Sequence, residues 1–283
     1  MAERGISAAQ PGMVPAGRRA AGTMIAALHG ELTPHAWHDP EHDAYQLFFQ
    51  RSLAMGWLDD TSAGSDAHGD VRRAPGLWGM NDAGWEHPFT AETNLVSWFQ
   101  VEVSPVAHDR PLPVQPLLRC AEDATTRAGT VDIHAVQLLL PVQGLNPKSR
   151  PPWAREPAMR TTDWFAETAP HARTRVTVDI NQGQHRFSPA AAQHLVDRLG
   201  TLNQDVFTPG AHGASVPDLI PQPPFDDRLW NGPPGNGVSL SGQLAEWSCD
   251  AIGWLAELIG DIAAQIHTAS PLLLTVTREL PSR

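Results

Sequence analysis

Along this chain, apolar positions recur with a period of two in some stretches and near 3.6 in others, and the two patterns take turns. Residues 95–103 set Leu95, Phe99, Val101 and Val103 on one side and Gln100 and Glu102 on the other, which predicts a strand with one buried face. Residues 175–181 alternate more strictly, with Val176, Val178 and Ile180 against Arg175, Thr177, Asp179 and Asn181. Further strands are expected at 24–32 and 272–277. Another is expected at 133–142, where Leu138, Leu139 and Leu140 are consecutive, as on a strand covered on both faces.

Helical spacing fills much of the remainder. One helix is expected to open with Asp39 as N-cap and Pro40 in its first turn, placing Tyr45, Phe48, Phe49, Ser52 and Met55 at helical intervals. A second is expected at 116–128, and a third starts at Ser188-Pro189, turns Leu195 and Leu199 inward and stops at Gly200. The strongest pattern has Leu244, Trp247, Ala251, Trp254, Leu258 and Ile262 as an apolar stripe. Beside it Glu246, Asp250, Glu257 and Asp261 form an acidic one expected to be solvated.

Each half of the chain thus reads strand, helix, strand or loop, helix, strand, with one expected strand missing from the first half. The class is α+β. Two ferredoxin-like βαββαβ units side by side fit this order, and one larger mixed antiparallel sheet backed by helices competes with them. The units would span 23–143 and 161–283, joined by a Pro-rich linker at 144–160 that holds Pro147, Pro151, Pro152 and Pro157. Residues 1–22 read as a mobile tail, and 209–237 as a long surface lid or disordered loop.

Composition narrows the classes of function. The 283 residues are 41% hydrophobic and 18% charged, enough for a packed core, and carry a net charge of -11. Such acidity argues against a nucleic-acid partner, because phosphate binding needs clustered cations. Lys148 is the only lysine, an Arg bias that reads as high-GC codon usage of a bacterial kind. Cys120 and Cys249 read as small buried hydrophobes in a reducing compartment. The sequence shows no signal peptide and no run of roughly 18 apolar residues, so a soluble cytoplasmic protein without a membrane partner is expected.

Three constellations could carry chemistry. His35, His38 and His42, interleaved with Asp39, Glu41 and Asp43, are donor types that divalent metals take, although the spacing matches no established metal motif. Glu102, Arg175 and Asp179 lie on the polar sides of predicted strands and would form an acid-base or anion-binding group if those strands were neighbours. Ten tryptophans are unusual for this length, and Trp78, Trp85 and Trp230 fall in Pro/Gly-rich stretches, as pocket and interface tryptophans often do. Phosphate loops, dinucleotide fingerprints, nucleophile elbows and C-x-x-C pairs are missing from the sequence.

Two readings follow. The first is a binding protein without a cofactor that engages a protein partner or a small apolar molecule through its loop tryptophans. The alternative is an enzyme acting on a small molecule, either cofactor-independent or assisted by a divalent metal, with its cleft under the 209–237 segment.

Overall fold

Strand and helix alternate through both halves of the chain in the same order. The computed structural model describes residues 22–39, 41–59, 77–87, 94–103, 105–107, 110–151, 163–167, 172–185, 188–216, 221–233, 235, 237–266 and 270–279. The first half holds β1 (Gly22–Pro34), α1 (Ala44–Ala54), β2 (Gly79–Gly84), β3 (Leu95–Val103), α2 (Val114–Ala128) and β4 (Gly129–Leu140). After a single helical turn, α3 (Asp163–Ala166), come β5 (Thr174–Asn181), α4 (Pro189–Thr201), β6 (Phe207–Ala214), β7 (Val238–Leu244), α5 (Cys249–Gln265) and β8 (Leu272–Arg278).

The protein is α+β, and its eight strands form one sheet in the order β2-β3-β1-β4-β8-β5-β7-β6. Every neighbouring pair is antiparallel. The order β6-β7-β5-β8 in the second half repeats β2-β3-β1-β4 in the first, so both halves share one connectivity. They meet where β4 pairs with β8, with Gln137 opposite Thr275.

Period-two patterning sets the faces of this sheet. Met24, Ala26 and Leu28, Phe99 and Val101, Leu138 and Leu140, Leu274 and Val276, and Val176, Val178 and Ile180 all join the core beneath the helices. The second face is dry only in places. There Ile25, Leu139 and Leu273 are roofed by Phe225 and Trp230 from the β6–β7 connection, forming a separate small cluster.

Several sequence expectations need correction. The first helix starts at Ala44, not at Pro40: Asp43 is the N-cap and its carboxylate accepts from Gln46 N–H at 2.6 Å. Asp43-x-x-Gln46 is the reciprocal capping spacing, whereas Asp39 only closes a turn onto Glu41 N–H. Leu244 belongs to β7, not to the last helix, which begins after Ser248, whose hydroxyl accepts from Ala251 N–H at 3.1 Å. The acidic stripe of that helix is not solvated as a whole. Glu257 is 9% exposed and Asp261 1% exposed, because α5 is covered by the sheet, α2 and the segment around Arg150. The missing strand of the first half is β2, and the 209–237 stretch contains the end of β6, an edge strand. Most of the expected tail and the 152–160 part of the expected linker lie outside the described residues.

Candidate functional site

The three histidines 35, 38 and 42 follow the end of β1, and the structure turns them to different neighbours. His35 ties the loop to the end of α2, through its backbone N–H on Ala128 O at 3.0 Å and its ring Nε2 against Thr126 O at 3.2 Å. Its ring stacks on Trp37, with centroids 4.7 Å apart and planes 16° apart, while His38 meets Trp85 edge-on. Among the described residues no group of three His, Cys, Asp or Glu side chains is placed to share a metal ion.

Glu102, Arg175 and Asp179 do not converge. Glu102 on β3 is four strand intervals from β5, about 19 Å across the sheet, and lies near Asn81 Nδ2 at 3.4 Å. Arg175 and Asp179 share a face of β5 but stand four residues apart, about 13 Å. Of the three only Asp179 is buried; it accepts from Ser215 Oγ at 2.7 Å. Burial pushes its carboxyl above the usual carboxylate range, and hydrogen bonds from Ser215 and Ser239 partly oppose that shift.

The tryptophans chosen from the sequence are mostly interior. Trp78 is 4% exposed and Trp230 1%, the latter edge-on to Phe225, and Trp85 is half-buried against the core. Among the described residues the exposed ones are Trp37 at 69% and Trp164 at 73%. Trp37 sits in a short polar turn beside histidines, outside the Pro/Gly-rich stretches that mark the other loop tryptophans. Its signal was that same context: a large apolar ring between Ala36 and His38 has no periodic partner to bury it.

Trp37 borders a groove of about 740 Å³ between α1 and α2. Leu47, Gln50, Arg51 and Ala54 line one wall from successive turns of α1, and Asp123, Ala124, Thr126 and Arg127 line the other from α2. Arg51 Nε donates to Asp123 Oδ2 at 2.7 Å, so that aspartate is already neutralised across the groove. Arg127, exposed in the last turn of α2, has no ion pair among the described residues. The groove therefore combines a mostly polar lining broken by Leu47, Ala54 and Ala124, an aromatic shelf of Trp37 on His35, and an excess of positive charge on an otherwise acidic chain.

A second polar feature is structural. Asp261 of α5 makes a bidentate pair with Arg150, one arm being Arg150 Nη2 to Asp261 Oδ1 at 2.8 Å, with both side chains buried. One turn earlier Glu257 accepts from Gln115 N–H at 3.0 Å and supplies the cap that the first turn of α2 lacks, because Pro113 gives no side-chain bond there. Burial, with the nearby Asp261, pushes the Glu257 carboxyl up to about 8. The cysteines are equally inert: both are buried and free, and burial raises both thiols, that of Cys249 most. No helix among the described residues is long and apolar enough to cross a membrane. Comparison with known proteins finds no matching family model, no matching curated protein and no matching solved structure.

Proposed function

We propose that this chain is a non-catalytic binding protein that takes an acidic, apolar-anchored segment of a partner protein in the groove between α1 and α2. The observation that carries the reading is Trp37, 69% exposed at the rim of that groove and held flat by stacking on His35. A rigid, exposed tryptophan supplies large contact area at little entropic cost, which is why tryptophan is enriched among the residues that dominate interface energies. Charge selects the partner: Arg127 and Arg51 outweigh Asp123 along the groove, so a segment with Asp or Glu next to an apolar side chain is complementary. The acid-base alternative loses support because Glu102, Arg175 and Asp179 stand apart on the sheet.

Affinity selection from a random displayed-peptide library tests this. The selected peptides should pair acidic residues with an apolar anchor, Trp37→Ala should weaken them by about thirtyfold, and Arg127→Glu should remove their acidic preference. Both side chains are exposed, so neither change threatens folding. Peptides that bind the Trp37→Ala and Arg127→Glu proteins as well as the unaltered chain would refute the assignment.

A further inference from the structure

An alternating run of charges crosses the helix layer and ends at the α1–α2 groove. Asp250 of α5 accepts from Arg119 Nη1 at 2.7 Å and from Gln115 Nε2 at 2.8 Å, both on α2. Arg119 Nε lies 3.9 Å from Asp123 Oδ1, one turn further along the same helix. Asp123 accepts through its other oxygen, Oδ2, from Arg51 Nε of α1 at 2.7 Å. Arg119 and Asp123 therefore each touch an opposite charge on both sides, whereas Arg51, the last member, touches one on a single side.

Donors are left over at that end. A guanidinium carries five N–H groups; Asp123 takes the one on Arg51 Nε, and no described residue accepts from Nη1 or Nη2. Arg150 is the contrast, because both of its Nη groups are spent on Asp261. The Arg51 side chain is 44% exposed and lines the groove beside Leu47, Gln50 and Ala54. A guanidinium gripped at Nε has its plane fixed, and its free Nη1–Nη2 edge holds two parallel donors in the fork that matches a carboxylate.

The geometry points to Arg51 as the residue that receives the partner's carboxylate, end-on through Nη1 and Nη2, with Asp123 as the positioning residue that aims it. This rests on the peptide reading of the groove and adds which cation reads the acid by shape. Arg127 follows Asp123 by one turn of α2, about 6 Å away, and has no ion pair among the described residues. It contributes charge without a fixed geometry, so a second acidic side chain of the partner within that reach is complementary to it. Two other roles for Asp123 make different forecasts. A mere tie between α1 and α2 would leave affinity unmoved when Asp123 is lost, and a competitor for Arg51 would tighten binding however it is removed.

The probe is the strongest acidic peptide from the displayed library, labelled with a fluorophore and followed by anisotropy against the full chain. Arg51→Lys, which keeps the charge and loses the fork, should weaken it about tenfold, whereas Arg127→Lys should change it by less than about twofold. Asp123→Ala should weaken it roughly fivefold. Asp123→Asn, which keeps an acceptor for Arg51 Nε, should restore the affinity of the unaltered chain or exceed it. The Arg51–Asp123 pair is partly exposed and contributes little to stability, so these variants should fold; if Asp123→Ala does not, the contrast between Arg51→Lys and Arg127→Lys decides. The inference is overturned if Arg51→Lys binds undiminished, if Asp123→Ala tightens binding, or if Asp123→Ala and Asp123→Asn bind alike. Those results with Trp37→Ala still weakening the peptide would remove this inference alone; a peptide indifferent to Trp37→Ala, or a selection without acidic peptides, would remove the groove reading with it.

Discussion

Glu257 is held inside the molecule by the first turn of α2, and its carboxyl, pushed up to about 8, keeps a proton that the unfolded chain releases near 4.5. Linkage fixes the sign. The folded state binds more protons between those values, so this group's contribution to stability is complete below about pH 4.5, falls as pH rises, and is gone above about 8. At about 1.4 kcal/mol per pH unit the total is on the order of 5 kcal/mol. His29 acts in the opposite sense: with its folded pKa near 4 against an ordinary 6.5, it destabilises as pH falls through that interval, by on the order of 3 kcal/mol. Between about 4.5 and 6.5 the two slopes oppose each other, and above about 6.5 only Glu257 of these two still contributes a slope.

The perturbation that isolates the effect is Glu257→Gln, which keeps an acceptor for Gln115 N–H and removes the ionisation. Asp179, whose carboxyl is also raised by burial, stands apart from Glu257 and cancels in the difference, whereas Asp261 is coupled to Glu257 and its share is part of what the difference reads. Urea unfolding followed by circular dichroism at half-unit pH steps measures it. The stability of Glu257→Gln relative to the unaltered chain should climb by about 1.4 kcal/mol per unit from roughly pH 4.5 to 8 and then level off. A difference curve that stays flat over that range would refute the reasoning, because it would mean that Glu257 is already ionised in the fold.

Two further outcomes are expected. Arg150→Met should cost about 3–5 kcal/mol in the same unfolding assay, because it strands Asp261 at 1% exposure, whereas the double change Arg150→Met with Asp261→Leu should recover most of that loss; equal losses would mean that the pair is not desolvated. Gly183→Ala should cost more than Gly56→Ala in thermal unfolding, although both glycines have positive φ: a Cβ at Gly183 would lie 1.9 Å from Asn231 O, while one at Gly56 meets nothing within 4 Å.

What could be read from the sequence was whatever has a buried face. Residues 95–103 form a strand with the predicted bounds, and Val176, Val178 and Ile180 are fully buried as their alternation required. The Ser188 cap is present, accepting from Ala191 N–H at 3.1 Å. The strands at the two edges of the sheet left little trace. β2 reads GMNDAG and is mostly half-buried, and β6 reads FTPGAHGA and is largely exposed; both carry Gly, and β6 a Pro, which an edge tolerates because one side of its ladder is unpaired. Periodicity also misled on α5, since a stripe of carboxylates looks the same whether it meets water, a helix start or Arg150. The candidate groove was harder still, because Trp37 has no periodic partner and the wall opposite it comes from a helix far along the chain.

The doubled connectivity bears on where binding resides. Both halves build the same β-α-β-β-α-β scaffold and share one sheet, so features common to the two serve the sheet and its core. The candidate groove lies where the halves differ. The connection after β1 brings Trp37 and His35 against the end of α2, whereas the equivalent connection after β5 turns back on itself, Gln182 bridging to His185, and leads into α4. Likewise Phe225 and Trp230 of the long β6–β7 connection roof Ile25, Leu139 and Leu273, while the shorter β2–β3 connection lays Glu86 and His87 against Trp98. A repeated framework with unlike loops is how one fold acquires a site without disturbing its core, since loops carry few of the packing contacts that stabilise the sheet. It follows that exchanging the β1–α1 connection for its counterpart after β5 should abolish peptide binding while leaving the cooperative unfolding of the sheet, followed by circular dichroism, in place.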